Sequence, residues 1–252
     1  MELVIAVQQP QPEEIMLEDL EDIVITSELQ SRTPRETNLQ AENQALAHLA
    51  RLLVNKPETM LQKLVDIALK LCKASAAGIS TLSTTFSGEE VFRWNVLAGT
   101  LKQHTGTTIP RSQSLCGICL ERATPQLYQY PKRYFTYLQA VKTPIVEALV
   151  LPVVADLQAL GTIWIMSYSK QRHFDSEDVR VMTFLADFAA AALLKQRQTQ
   201  PVLANPDMPW CHDVKGYISW YDQLRVIIEN LPGGAVFVVD QNLRYLFAEG
   251  EA

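Results

Sequence analysis

Apolar residues recur along this chain at helical spacing, then strand spacing, then helical spacing again, and the switches divide it. Leu39, Leu46, Leu49 and Leu53 fall close to one face of a helix running from about 39 to 54. Pro57 suits the first turn of a second helix, where its missing N–H costs nothing. Over 58–73 that helix presents Leu61, Leu64, Val65, Ala68, Leu71 and Cys72 as one inward stripe. Strand spacing follows at 77–83 and again at 91–97, where Phe92, Trp94 and Val96 alternate with Arg93 and Asn95. Gly99, Gly106 and Pro110 mark a loop, and Ser114 caps a short helix to Arg122. A brief strand is expected at 126–128, then an aromatic connection holding Tyr134, Phe135 and Tyr137. Apolar runs at 147–154 and 160–168 read as a hairpin turning across Asp156. In the second run Thr162, Trp164 and Met166 point one way, and Gly161, Ile163 and Ile165 the other.

Asp175 and Asp178 resemble a capping box with Asp in the third position. After them Val179, Met182, Ala186, Ala189 and Leu193 form a helical stripe that continues to about 198. A helix that outlasts its domain needs a surface for its apolar face, so the stripe is expected to serve as core and as the seam of a parallel homodimer. Pro201, Pro206 and Pro209 break the chain into a linker over 199–216. A further helix is expected from about Tyr217, then two short strands that cannot stand alone. The expected organisation is a leader at 1–38, a domain at 39–198, the linker, and an incomplete unit at 217–252.

Charge sharpens that division. Residues 1–36 hold nine acids against Arg32 and Arg35, a net of −7, so the rest, with 20 basic and 19 acidic side chains, carries about +1. The first 38 residues therefore read as an acidic, solvated leader. The near-neutral body lacks the concentrated basic surface that phosphate backbones require, which argues against nucleic-acid binding. An apolar content of 48% is ample for a core, yet no run approaches the ~20 residues of a membrane span. The N-terminus has no basic region leading into an apolar one, as a secretory signal would. Four cysteines (Cys72, Cys116, Cys119, Cys211) suit a reducing compartment better than a disulfide framework, and a cytoplasmic location is expected.

Six segments carry a family resemblance: Phe92-Arg93-Trp94, the run from Pro110 to Gly117, Pro131-Lys132-Arg133-Tyr134-Phe135, Pro144-Ile145-Val146-Glu147, Gly161-Thr162-Ile163-Trp164, and the run from Phe174 to Asp178. In this order they resemble one GAF subfamily of bacterial multi-domain sensor kinases, over about residues 43–198. The run from Ile228 to Asp240, with Leu231-Pro232-Gly233-Gly234 inside it, is similar to the entry of a PAS domain whose remaining elements are absent. The resemblance implies an α+β fold: a five- or six-strand antiparallel sheet, flanking N- and C-terminal helices on one face, a ligand pocket on the other. It also implies signal reception of two-component type, passed to a downstream kinase or cyclase. No phosphoacceptor-histidine segment, Gly-rich nucleotide box or P-loop is found here, so the chain is expected not to be an enzyme.

Candidate chemistry is confined to a few side chains. Trp94, Cys116, Tyr134, Phe135, Trp164 and Met166 are the candidate pocket for an unidentified small molecule. Cys116 and Cys119 form a C-x-x-C, a redox pair or half a zinc site. Zinc needs more ligands, and the only other cluster is Cys211-His212 in the linker, so no metal site is assigned. Leu115-Cys116-Gly117 partly resembles the motif of free methionine sulfoxide reductase, a GAF-fold enzyme and the alternative reading of this chain. That family's downstream Cys-Asp is missing from 138–147. Cys116, near a helix N-terminus, is expected to have a lowered pKa that leaves room for redox sensing. Bilin attachment needs a Cys in the crossover, which reads Tyr134-Phe135-Thr136-Tyr137-Leu138; haem is likewise unsupported. The Asn-Lys, Phe and Asp-Glu pattern of cyclic-nucleotide GAF domains is matched only in part, by Ser169-Lys170, Phe174 and Asp178-Val179.

Overall fold

The computed structural model describes residues 20–85, 88–155, 158–199, 235–239 and 245–250. Four helices matter for the site: α1 (Glu28–Ser31), α2 (Leu39–Asn55), α3 (Pro57–Leu71) and α4 (Leu115–Arg122), joined later by the long α5 (Ser176–Thr199). The strands are β1 (Ala76–Thr84), β2 (Glu90–Gly99), β3 (Thr108–Pro110), β4 (Gln126–Gln129), β5 (Glu147–Ala155) and β6 (Gln158–Ser167). They form one antiparallel sheet in the order β3-β2-β1-β6-β5-β4. Two more strands, β7 (Ala235–Val239) and β8 (Tyr245–Gly250), pair with each other. The linker, the helix expected from Tyr217 and residues 1–19 lie outside the described residues.

Period-two patterning sorts the sheet's side chains into two cores. Ile79, Leu149, Leu151, Ile163 and Ile165 join a cluster with the buried faces of α3 and α5, where Leu64, Val65, Met182 and Leu185 are fully buried. Trp94, Ala148, Val150, Trp164 and Met166 join a second cluster on the opposite face, covered by α4 and the aromatic crossover. Both helices thus close over one sheet face, as the stripes predict. Pro57 occupies the first turn of α3. Asp175 Oδ1 accepts from the backbone N–H groups of Glu177 (2.9 Å) and Asp178 (3.1 Å), and Asp178 Oδ2 accepts from Asp175 N–H (3.1 Å). That reciprocal pair starts α5.

Three local differences have physical causes. β3 lies in what reads as loop: three residues are too few to show a period, but Val91 pairs with Pro110 and Arg93 with Thr108. Leu39 opens α2 62% exposed, while Glu42 is buried one turn on, held by Arg180 at 2.5 Å. The expected acidic leader is not a free tail where the structure describes it: its acids stay exposed while its apolar side chains are packed. Leu20, Ile23 and Leu29 are buried, Val24 bridges Tyr128, and Ile25 and Ile23 exchange backbone hydrogen bonds with Leu127 and Gln129 on β4. A strap therefore covers an edge that would otherwise leave unpaired backbone groups.

Candidate functional site

The aromatic face of the sheet is built around glycine and tryptophan in register. Gly78 on β1 pairs with Trp164 on β6, and a Cβ at Gly78 would fall 2.3 Å from the indole ring. The missing side chain lets the indole lie flat on the sheet. Trp94 tilts against it, ring centroids 5.5 Å apart, and Tyr137 meets Trp94 edge-on at 6.2 Å. Phe135 lies behind, edge-on to Tyr137 at 6.1 Å and to Tyr128 at 6.4 Å.

Between these groups is a void of about 10 Å³, lined by Trp94, Leu115, Cys116, Tyr137, Val150, Trp164 and Met166. That volume is about one water molecule. Four of the six candidate pocket residues line it: Trp94, Cys116, Trp164 and Met166. Phe135 is buried one ring further out, and Tyr134 lies at the rim beneath the Arg133 guanidinium, 5.4 Å from the ring centre. Tyr137 takes the place expected for them. Its position in an irregular connection gives no period from which direction could be read.

The polar atoms of this face come from strand residues. Trp164 Nε1–H donates to Ser80 Oγ (2.9 Å), and the Cys116 thiol points to the same oxygen at 3.6 Å. Thr162 Oγ1 is buried nearby, beside the Cys116 thiol. Period two assigns Thr162 to this face. The same alternation places Ser80, two residues from Gly78 and paired with Thr162, on this face; the irregularity at Ile79/Ser80 lies in the pairing with β2, where Asn95 is the extra residue.

Both cysteines of the C-x-x-C are buried thiols. Burial pushes the Cys116 thiol up, with the Thr162 and Ser80 hydroxyls offsetting only part of it. The expectation of a lowered pKa at the start of α4 is therefore corrected: desolvation outweighs the helix terminus. Burial also pushes the Cys119 thiol well above its usual range, and its sulfur donates to Val150 O at 3.4 Å and Thr124 O at 3.5 Å. Cys72, in the α3 stripe, is a third buried thiol, raised by burial and by Asp178. Cys211 and His212 lie outside the described residues.

The α5 stripe turns inward. Met182, Ala186, Ala189 and Leu193 are buried in the chain's own core, with Val179 partly buried beside them. Thr183 and Asp187 face solvent instead. The core role expected of the stripe is met by α3 and the sheet, which supply its partner surface.

A second polar cluster sits where β5 begins and α5 starts. Buried Glu147 accepts from Arg32 Nη1 (3.1 Å) and Nη2 (2.9 Å) and from Phe174 N–H (2.9 Å), with His173 Nδ1 at 2.6 Å. Buried Asp178 accepts from Arg35 Nε (2.9 Å) and Arg172 Nη2 (2.6 Å). Arg172 also donates to the Cys72 carbonyl at the end of α3. The sequence offers no sign of this cluster beyond two arginines amid acids.

A family model described as GAF domain matches residues 55–194. No curated protein matches the chain. Among solved structures, the GAF domain of a phosphoenolpyruvate-protein phosphotransferase from Acinetobacter is similar at 14% identity, covering 66% of this chain and 99% of that one, with a TM-score of 0.54. Its counterpart from Coxiella burnetii aligns at 18% identity over 64% and 98%, also at 0.54. A free methionine-R-sulfoxide reductase from Neisseria meningitidis, solved with its substrate, aligns at 14% identity over 66% and 98%, at 0.52. At such identities the likeness is one of fold.

Proposed function

The chain belongs to the GAF domain family through residues 55–194, and from that premise we propose that it is a sensory or signal-relay module of bacterial signal transduction, of two-component type. It receives a small molecule or a partner and passes the change through α5 to a downstream kinase or cyclase region, with no chemistry of its own. The observation that carries this reading is the double role of α5. Its first turn is capped and charge-paired at the edge of the sheet, its apolar face is buried through Leu193, and it runs on to Thr199, past the end of the family match at 194. A rearrangement of the sheet therefore reaches a helix that projects beyond the fold. With room for about one water between Trp94, Tyr137 and Trp164, a ligand enters the aromatic face only by moving those rings, which couples occupancy to β2, β6 and the crossover. A cytoplasmic parallel homodimer is part of the proposal, with the α5 helix at its seam. The incomplete PAS-like start at 217–252 belongs to the same proposal as part of the route to the output region.

Thiol chemistry at Cys116 and Cys119, with free methionine sulfoxide as substrate, has the weaker support, since both sulfurs are buried and held protonated by desolvation. The two readings separate in one assay. Full-length protein given free methionine-R-sulfoxide and a thiol reductant is expected to show no turnover above the blank, and Cys116→Ser no change. Turnover that Cys116→Ser abolishes would establish the enzyme instead. A native mass spectrum of the same sample counts protomers and detects any bound molecule.

A further inference from the structure

The strap over 20–35 touches both cores and the base of α5, and none of the foregoing requires that. Leu20, Ile23 and Val24 pack into the aromatic-face cluster, whereas Ile25 and Leu29 pack into the helix-face cluster. Between them the backbone pairs with β4, through Ile25 N–H to Leu127 O (2.9 Å) and Gln129 N–H to Ile23 O (2.8 Å). Thr26 adds its hydroxyl as acceptor for Leu127 N–H at 3.0 Å, and Glu21 pairs with Arg122 at the end of α4. The segment thus wraps the sheet's edge and joins its two faces.

Its far end grips the start of α5. Arg32 places both terminal nitrogens on Glu147 and donates through Nη1 to Phe174 O at 2.6 Å. Arg35 donates from its backbone N–H to Asp175 Oδ2 (3.1 Å) and from Nε to Asp178 Oδ1 (2.9 Å). Asp175 and Asp178 are the two residues of the capping pair, so the strap holds the groups that start α5. Glu147 and Asp178 are fully buried; their guanidinium partners come from the strap and from Arg172, and the His173 ring nitrogen lies against Glu147. If the strap leaves, two buried carboxylates lose bonded guanidinium groups and the 172–178 corner must rearrange to solvate them.

We propose that residues 20–35 are a second input to α5: displacing the strap from β4 resets the start of that helix without anything entering the aromatic face. The proposal rests on the reading of α5 as the output helix. Any force or partner acting on the chain ahead of residue 20 would then be relayed by the same helix that reports on the ligand.

Hydrogen exchange of the full-length protein tests it. Ile23→Asn disturbs the strap in the aromatic-face cluster, which α5 does not enter; Arg32→Lys keeps the charge and loses the two-pronged contact. Each is expected to raise the exchange of residues 177–183, relative to the centres of β1 and β6, by roughly fivefold or more. The Ile25 and Gln129 amides should lose protection in Ile23→Asn. A ratio that stays at the wild-type value in both variants overturns the proposal, whether the strap comes away alone or the whole fold loosens. Failure of the sensory reading, such as an absent ligand or output, leaves this ratio untouched, so the two are told apart.

Discussion

At the scale of residues, the aromatic face depends on one missing side chain. Gly78 lets the Trp164 indole and Leu97 approach the backbone of β1, and an added Cβ would meet them at 2.3 and 2.6 Å. Gly78→Ala is expected to destabilise the fold by about 1–3 kcal/mol, as overpacked cores do, and to shift the tryptophan emission because Trp94 leans on Trp164. Denaturant unfolding followed by fluorescence measures both. The buried thiols make a second prediction. In native protein at mildly alkaline pH, Cys72, Cys116 and Cys119 are expected to resist iodoacetamide and to react once denaturant is added, as read by peptide mass spectrometry. Rapid native labelling of Cys116 would contradict their assignment as packed side chains. The sequence marks Trp94, Trp164 and Met166 for this face because alternation states direction on a strand. Tyr137 carries no such mark.

Elements add what single residues do not show. The start of α5 combines a capping pair with an acidic first turn, where negative charge meets the positive end of the helix dipole. Arg180 hydrogen-bonds Glu177 at 2.7 Å and holds its carboxyl below the usual glutamate range. A depressed native pKa means that this contribution is present above the unfolded pKa and fades as pH falls through the native one. Glu177→Gln should therefore melt lower than wild type near neutrality, and the gap should close in acid. A gap constant with pH would assign the effect to packing instead. Most element boundaries could be read from the sequence, since the α3 stripe, the β5–β6 hairpin and the Asp175–Asp178 pair each repeat a strong local pattern. β3 and the strap could not: one is shorter than any period, and the other is held by partners about a hundred residues away, at Gln126–Gln129 and Glu147. Excess acid in 1–36 suggested solvation, whereas Arg32 and Arg35, a minority of its charges, bind it to the domain.

Across the whole molecule, the sheet separates a packed aromatic face from a helical face, and α5 belongs to the second and runs on to Thr199. The inward stripe on α5 changes how a signal can travel. Met182, Ala186, Ala189 and Leu193 are tied to the core, so in the proposed relay the helix moves with the domain and its continuation carries rotation or displacement outward. A fusion that continues α5 from Thr199 directly into the signalling helix of a heterologous histidine kinase tests this most directly, with zero to seven residues inserted at the junction. The account predicts kinase output that rises and falls with the insertion, repeating at about 3.6 residues as the helical face turns. Output that is indifferent to the number of inserted residues would contradict it.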